Sequence, residues 1–153
     1  MKRRRPEFHW DAETNTATCI LTDAYDNTYI GIAVCHPEDE DMTSEKTGCE
    51  IAFRRASIKV LQASRTQIKH ELGALKQLYY SMNRSKQFQK KSYETRMLYR
   101  QIKIKEADLG TVREMLHAAQ ADLREFIDEK EKLYKRIRFN RKVNSHQSEN
   151  DEN

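Results

Sequence analysis

The sequence predicts an α+β protein: a small N-terminal three-stranded antiparallel sheet followed by a long two-helix antiparallel hairpin. Three observations carry this. Residues 7–35 alternate polar with aromatic or β-branched residues between turn-forming Asp and Asn, the pattern of half-buried strands. Residues 44–82 and 92–137 instead repeat apolar residues at intervals of three and four, the period of amphipathic helices. The 153 residues hold only 4 Gly and 2 Pro, with 34% charged and 37% hydrophobic residues. Turn formers are too scarce for a β-sandwich, and the charge suits long solvated helices.

The first strand is Glu7-Phe8-His9-Trp10-Asp11, the second Thr16–Thr22 and the third Thr28–Cys35, with turns at 12–15 and 23–27. Connections this short leave no room for crossovers, so the strands form a meander. A sheet this small is not stable alone and must pack on the helices or on another subunit. Pro37, in the acidic stretch His36–Asp41, ends it. Thr43 or Ser44 caps the first helix, with Glu45 in its first turn.

The buried stripe of the first helix is Ile51, Ala52, Ala56, Val60, Leu61, Ile68, Leu72, Leu75, Tyr79 and Met82; at 1.5 Å per residue the helix would be roughly 55 Å long. Residues 83–91 lack periodicity and form the connector, and Ser92 caps the second helix. Its predicted stripe is Met97, Gln101, Ile104, Val112, Met115, Ala119, Leu123, Phe126, Leu133 and Ile137, with Gly110 a weak point worth about 1 kcal/mol against Ala. Residues 1–139 form one domain; residues 140–153 have almost no apolar content to bury, Val143 alone, and are expected to be disordered. Phe53, Ile58, Leu78, Leu98, Ile102, Leu109, Leu116 and Ile127 lie off the main stripes. Either they face a second copy, giving a homo-oligomer, or they widen the intramolecular face.

No stretch approaches the roughly 18 apolar residues of a membrane span, and the basic start Met1–Arg5 is followed by polar residues, so it does not read as a secretory signal. Three cysteines, Cys19, Cys35 and Cys49, without a CxxC pair read as free thiols in a reducing compartment. The net charge of +4 arises from 28 basic and 24 acidic residues, a surplus that suits a small anion as well as a polymer. The cluster Cys35, His36, Glu38–Asp41 offers ligand types without a second pair at zinc spacing, so no metal or other cofactor is expected. Nucleophile elbow, phosphate loop and HExxH are absent, and paired carboxylates such as Asp122/Glu125 interleave with Lys and Arg as ordinary surface pairs. The chain does not read as an enzyme.

The strongest binding signal spans the connector and the start of the second helix. Tyr79, Tyr80, Phe88, Tyr93 and Tyr99 interleave there with Arg84, Lys86, Lys90, Lys91, Arg96, Arg100 and Lys103. Arg96 and Arg100 share a helix face and can grip a pyrophosphate while an aromatic stacks a base. The alternative is a hairpin core with a solvated basic rim. The candidate ligand residues are Phe88, Arg96, Tyr99 and Arg100, with Arg113 and Arg124 further along, reaching such a site only through a neighbouring subunit. Arg54-Arg55 point about 100° apart; either one from each subunit rings a symmetry axis, or one buries its stem while the other faces solvent.

The order Thr28-Tyr29-Ile30-Gly31-Ile32-Ala33-Val34-Cys35-His36-Pro37-Glu38-Asp39, then Ser44–Ala56, then Gln77-Leu78-Tyr79-Tyr80-Ser81-Met82-Asn83 and a long charged helix, resembles the first-described family of Thoeris anti-defence proteins over about residues 8–137. These are phage sponges that sequester a cyclic ADP-ribose isomer made by a bacterial TIR-domain immune enzyme; some members also bind cyclic oligonucleotides. The resemblance implies a non-enzymatic homo-oligomer, a hexamer or else a dimer, in the cytoplasm of an infected bacterium, binding a small cyclic nucleotide without cleaving it. The other function the residues allow is a helical interaction module for nucleic acid or a protein partner.

Overall fold

The structure, a computed structural model, describes residues 5–35, 44–84 and 93–150, with side chains as far as residue 141. Strands β1 (Glu7–Asp11), β2 (Thr16–Thr22) and β3 (Thr28–Val34) precede helices α1 (Glu45–Arg84) and α2 (Tyr93–Asn150). The predicted α+β architecture is present, with an antiparallel meander in the order β1-β2-β3. The acidic stretch 36–41, the connector from Ser85, Phe88 and the Ser92 cap lie outside the described residues. Helix α2 continues to Asn150, beyond the expected end at 137 and through eleven residues predicted to be disordered. Residues 138–150 contain neither Gly nor Pro, so backbone hydrogen bonding continues from a formed helix without a new nucleus.

Both hairpin turns are held by an aspartate at their start. Asp11 accepts hydrogen bonds from the Glu13 amide at 2.9 Å and the Thr14 hydroxyl at 2.7 Å. Asp23 accepts from the Tyr25 and Asn27 amides at 2.8 and 3.0 Å, the Asn27 side chain at 2.9 Å and the Tyr29 hydroxyl at 3.0 Å. Asn15 and Asp26 take the left-handed backbone, which these two residue types tolerate better than most.

The chain divides into two compact units: residues 1–57 with 119–153, and residues 58–118. In the first, the inner face of the sheet packs on α1 through Ala17, Cys19, Ala33, Ala52 and Ala56, flanked by Trp10, Leu21, Cys49 and Ile51. The small side chains bring sheet and helix into near backbone contact. A Cβ on Gly31 would overlap the Ala52 carbonyl and lie 2.5 Å from the Ala56 nitrogen. Ser44 caps α1, its hydroxyl accepting from the Thr47 amide at 3.1 Å, which selects between the two predicted caps. Burial pushes the thiols of Cys19 and Cys49 up, out of the reactive range.

In the second unit α1 and α2 run antiparallel. Leu72, Ile102 and Leu109 form its core, with Ile68, Leu75 and Tyr79 against them. Lys76 pairs with Glu106 at 2.9 Å and Lys105 with Glu71 at 2.6 Å. The predicted stripe of α2 is corrected here. Leu98, Ile102, Leu109 and Leu116 are buried at 5–7% exposure, whereas Met97, Ile104 and Met115 are 38%, 55% and 52% exposed. Ile58 is likewise buried, and Phe53 and Leu78 remain exposed.

Gly31→Ala should cost about 3 kcal/mol or more, because backbone on the far side cannot give way; a large fall in melting temperature with loss of sheet signal in circular dichroism would show it. Acid should also loosen the meander. Hydrogen bonds from the Thr14 side chain, then the Glu13 and Thr14 amides, hold Asp11 below the ordinary carboxylate range. The Asn27 side chain, then the turn amides and the Tyr29 hydroxyl, do the same for Asp23 against some burial. A carboxyl depressed in the folded state contributes stability that is complete above its unfolded value and lost as pH falls through its folded value. The melting temperature should therefore drop between about pH 5 and about pH 2, and Asp23→Asn should flatten that drop.

Candidate functional site

The first unit contains a half-open cleft of about 210 Å³. Trp10 of β1 and Asn15 of the following turn line it beside Val34 and Cys35 at the end of β3. Helix α1 contributes Thr47, Gly48, Ile51 and Arg55; α2 contributes Ile127, Lys130, Glu131 and Tyr134. Gly48 makes this arrangement fit, since a Cβ there would lie 3.1 Å from the Trp10 ring and 3.0 Å from the Ala17 methyl. A larger residue would push the indole away from the helix.

Two cations and two aromatics thus border one concavity, with an amide and a carboxylate beside them. The Arg55 guanidinium donates to the Ile32 carbonyl at 2.5 Å, which fixes its position while most of its N–H donors remain for an anion. The Lys130 ammonium sits 5.1 Å from the centroid of the Phe126 ring, a contact that steadies it without neutralising its charge. The cleft is large enough for one heterocyclic base or a sugar-phosphate, and its open side leaves room for the rest of a nucleotide.

Arg54, adjacent in sequence to Arg55, has a different role. It pairs with Glu50 and Asp122 at 2.9 Å each, and its guanidinium carbon lies 4.2 Å from the Phe126 centroid. Burial opposes its charge, and the hydrogen bonds it donates to Glu50 and Asp122 outweigh this, raising its pKa above the ordinary arginine value. The pair therefore splits: Arg54 ties α1 to α2, and Arg55 borders the cleft.

The second unit gathers three of the predicted ligand residues. Arg96, Tyr99 and Arg100 line a shallow open depression on α2 with Tyr93, Met97 and Lys103. Tyr99 is 49% exposed, tilted against Tyr79 at 6.0 Å, with the Lys103 ammonium 5.6 Å from its ring. Lys103 is itself paired with Glu106 at 2.9 Å, and that hydrogen bond raises its pKa. Arg113 belongs to the second unit and Arg124 to the first. Neither borders the depression or the cleft. Phe88 lies outside the described residues.

Trp10, Asn15, Lys130 and Tyr134 escaped the sequence reading, because strand, turn and far helix meet only in the folded unit. Two signals were available: the chain has a single Trp, and Gly48 stands in the first turns of α1. Among the described residues no three His, Cys, Asp or Glu side chains converge as a metal site, and no helix is long and apolar enough to cross a membrane. Comparison with protein-family models, with curated proteins and with solved structures found no match.

Proposed function

We propose that the chain binds a small cyclic nucleotide and holds it without cleaving it, as a phage-encoded anti-defence sponge would, with the cleft of the first unit as its site. The observation that carries this is the lining of Arg55 and Lys130 beside Trp10 and Tyr134. An aromatic wall stacks a base, worth about 1–3 kcal/mol, and charge-assisted bonds hold its phosphates. Retention requires only affinity and a preformed surface. The resemblance supplies the biological class, with a cyclic ADP-ribose isomer as the ligand to try first, acting in the cytoplasm of an infected bacterium.

The same proposal has the chain act as a homo-oligomer. Met97, Ile104 and Met115 lie on one exposed face of α2, spaced as an interhelical seam. Two copies running antiparallel along it would set Met97 against the partner's Met115, and Arg96 and Arg100 beside the partner's Glu114. The basic ladder would then be the rim of an interface.

The ligand test uses the cyclic ADP-ribose isomer itself. Because Trp10 is the only tryptophan, binding in the cleft should change intrinsic fluorescence, and heating should release intact ligand. Arg55→Ala or Lys130→Ala should weaken binding about tenfold or more. Absence of retention would refute the sponge reading, and recovery of cleaved product would replace it with an enzyme. Binding lost in Arg96→Ala/Arg100→Ala but kept in Arg55→Ala would move the site to α2. Separately, Ile104→Lys should reduce the mass measured by light scattering to that of a monomer, with helix content unchanged; an unaltered mass would exclude this seam.

A further inference from the structure

Residues 130–141 hold six basic residues against the single acidic Glu131, a surplus of five that exceeds the +4 of the whole chain. On the helix they are sorted. Lys130, Tyr134, Ile137 and Arg138 occupy the half-buried side, whereas Lys132, Lys135, Arg136 and Phe139 are exposed. The spacing of these four, at i, i+3, i+4 and i+7, places them on one face over about 10 Å of helix. Phe139 is 67% exposed, a bare ring with three cations within two turns.

We propose that this face of α2 binds single-stranded nucleic acid, independently of the cleft. The cations meet phosphates, and the ring offers a platform for one unpaired base. Duplex is the poorer fit, because its bases are already stacked on one another and leave Phe139 nothing to cover. A membrane surface is also a poorer fit: interfacial helices present a broad apolar face, and here Phe139, with Leu133 at the edge of the stripe, stands among charges. The stripe is separate from Arg55 and Trp10, so its occupancy does not depend on the nucleotide reading.

The test is fluorescence anisotropy of the full chain with a labelled oligothymidylate of about 20 nucleotides, longer than the usual site of one binding fold. The same strand annealed to its complement and vesicles containing phosphatidylserine serve as rival probes. Binding should favour the single strand and weaken with salt. Lys132→Gln/Lys135→Gln/Arg136→Gln should reduce the slope of log affinity against log salt by about two, three contacts at about 0.7 each. Phe139→Ala should weaken binding about tenfold with the slope unchanged. All four positions are exposed, and circular dichroism would verify that the variants keep their helix. No binding, equal affinity for duplex, preference for vesicles, or indifference to Phe139→Ala would each overturn the proposal.

Discussion

The near contact of β3 with α1 at Gly31 is the constraint on which the first unit depends. A three-stranded meander has too little core of its own, and here its inner face is built from Ala17, Cys19 and Ala33. Such side chains bury little area each, so the sheet gains stability only by approaching the helix closely enough to exclude all water. Ala52 and Ala56 on α1 and Gly31 on β3 permit that approach. The consequence extends to the cleft. With sheet and helix this close, Trp10 reaches across Gly48 and becomes a wall of the cavity.

The second unit is stabilised differently. Branched aliphatic side chains from both helices form its core, and ion pairs such as Lys105–Glu71 and Lys76–Glu106 flank it at the surface. Such exposed pairs add little stability each; their value lies in register, since a helix shifted by one turn would separate every pair at once. Glu71 and Glu106 are held below the ordinary carboxylate range chiefly by hydrogen bonds from Lys105 and Lys76.

The strands, both turns and the start of α1 were legible because each rests on local chemistry: Asp at the turn entrances, β-branched runs, and a Ser cap. The face of α2 was not legible by spacing alone. Met97, Ile104 and Met115 follow the helical period as well as Leu98, Ile102, Leu109 and Leu116 do, and two stripes about 100° apart are equivalent to a periodicity count. The composition of the two series differs: the buried one is wholly Leu and Ile, the exposed one is interrupted by Gln101 and rich in Met. Chemical uniformity, weighted above spacing, selects the buried face. For the candidate site, Arg96, Tyr99 and Arg100 were found together because one helix places them. The cleft escaped notice because its residues come from β1, a turn, β3, α1 and α2.

The small net charge hides three unlike environments. Arg54, Lys76, Lys103 and Lys105 are matched by carboxylates at 2.6–2.9 Å, and these pairs serve the fold. Arg55 and Lys130 are steadied by a carbonyl and a ring, which fix a cation while leaving its charge uncancelled. Lys132, Lys135 and Arg136 project outward from α2 in a segment with one acidic residue. Because charges are screened beyond about 10 Å, an anion responds to the local grouping and hardly to the total. A chain that is almost balanced as a whole can therefore present one half-open cleft suited to a small anion and one open stripe suited to a polymer.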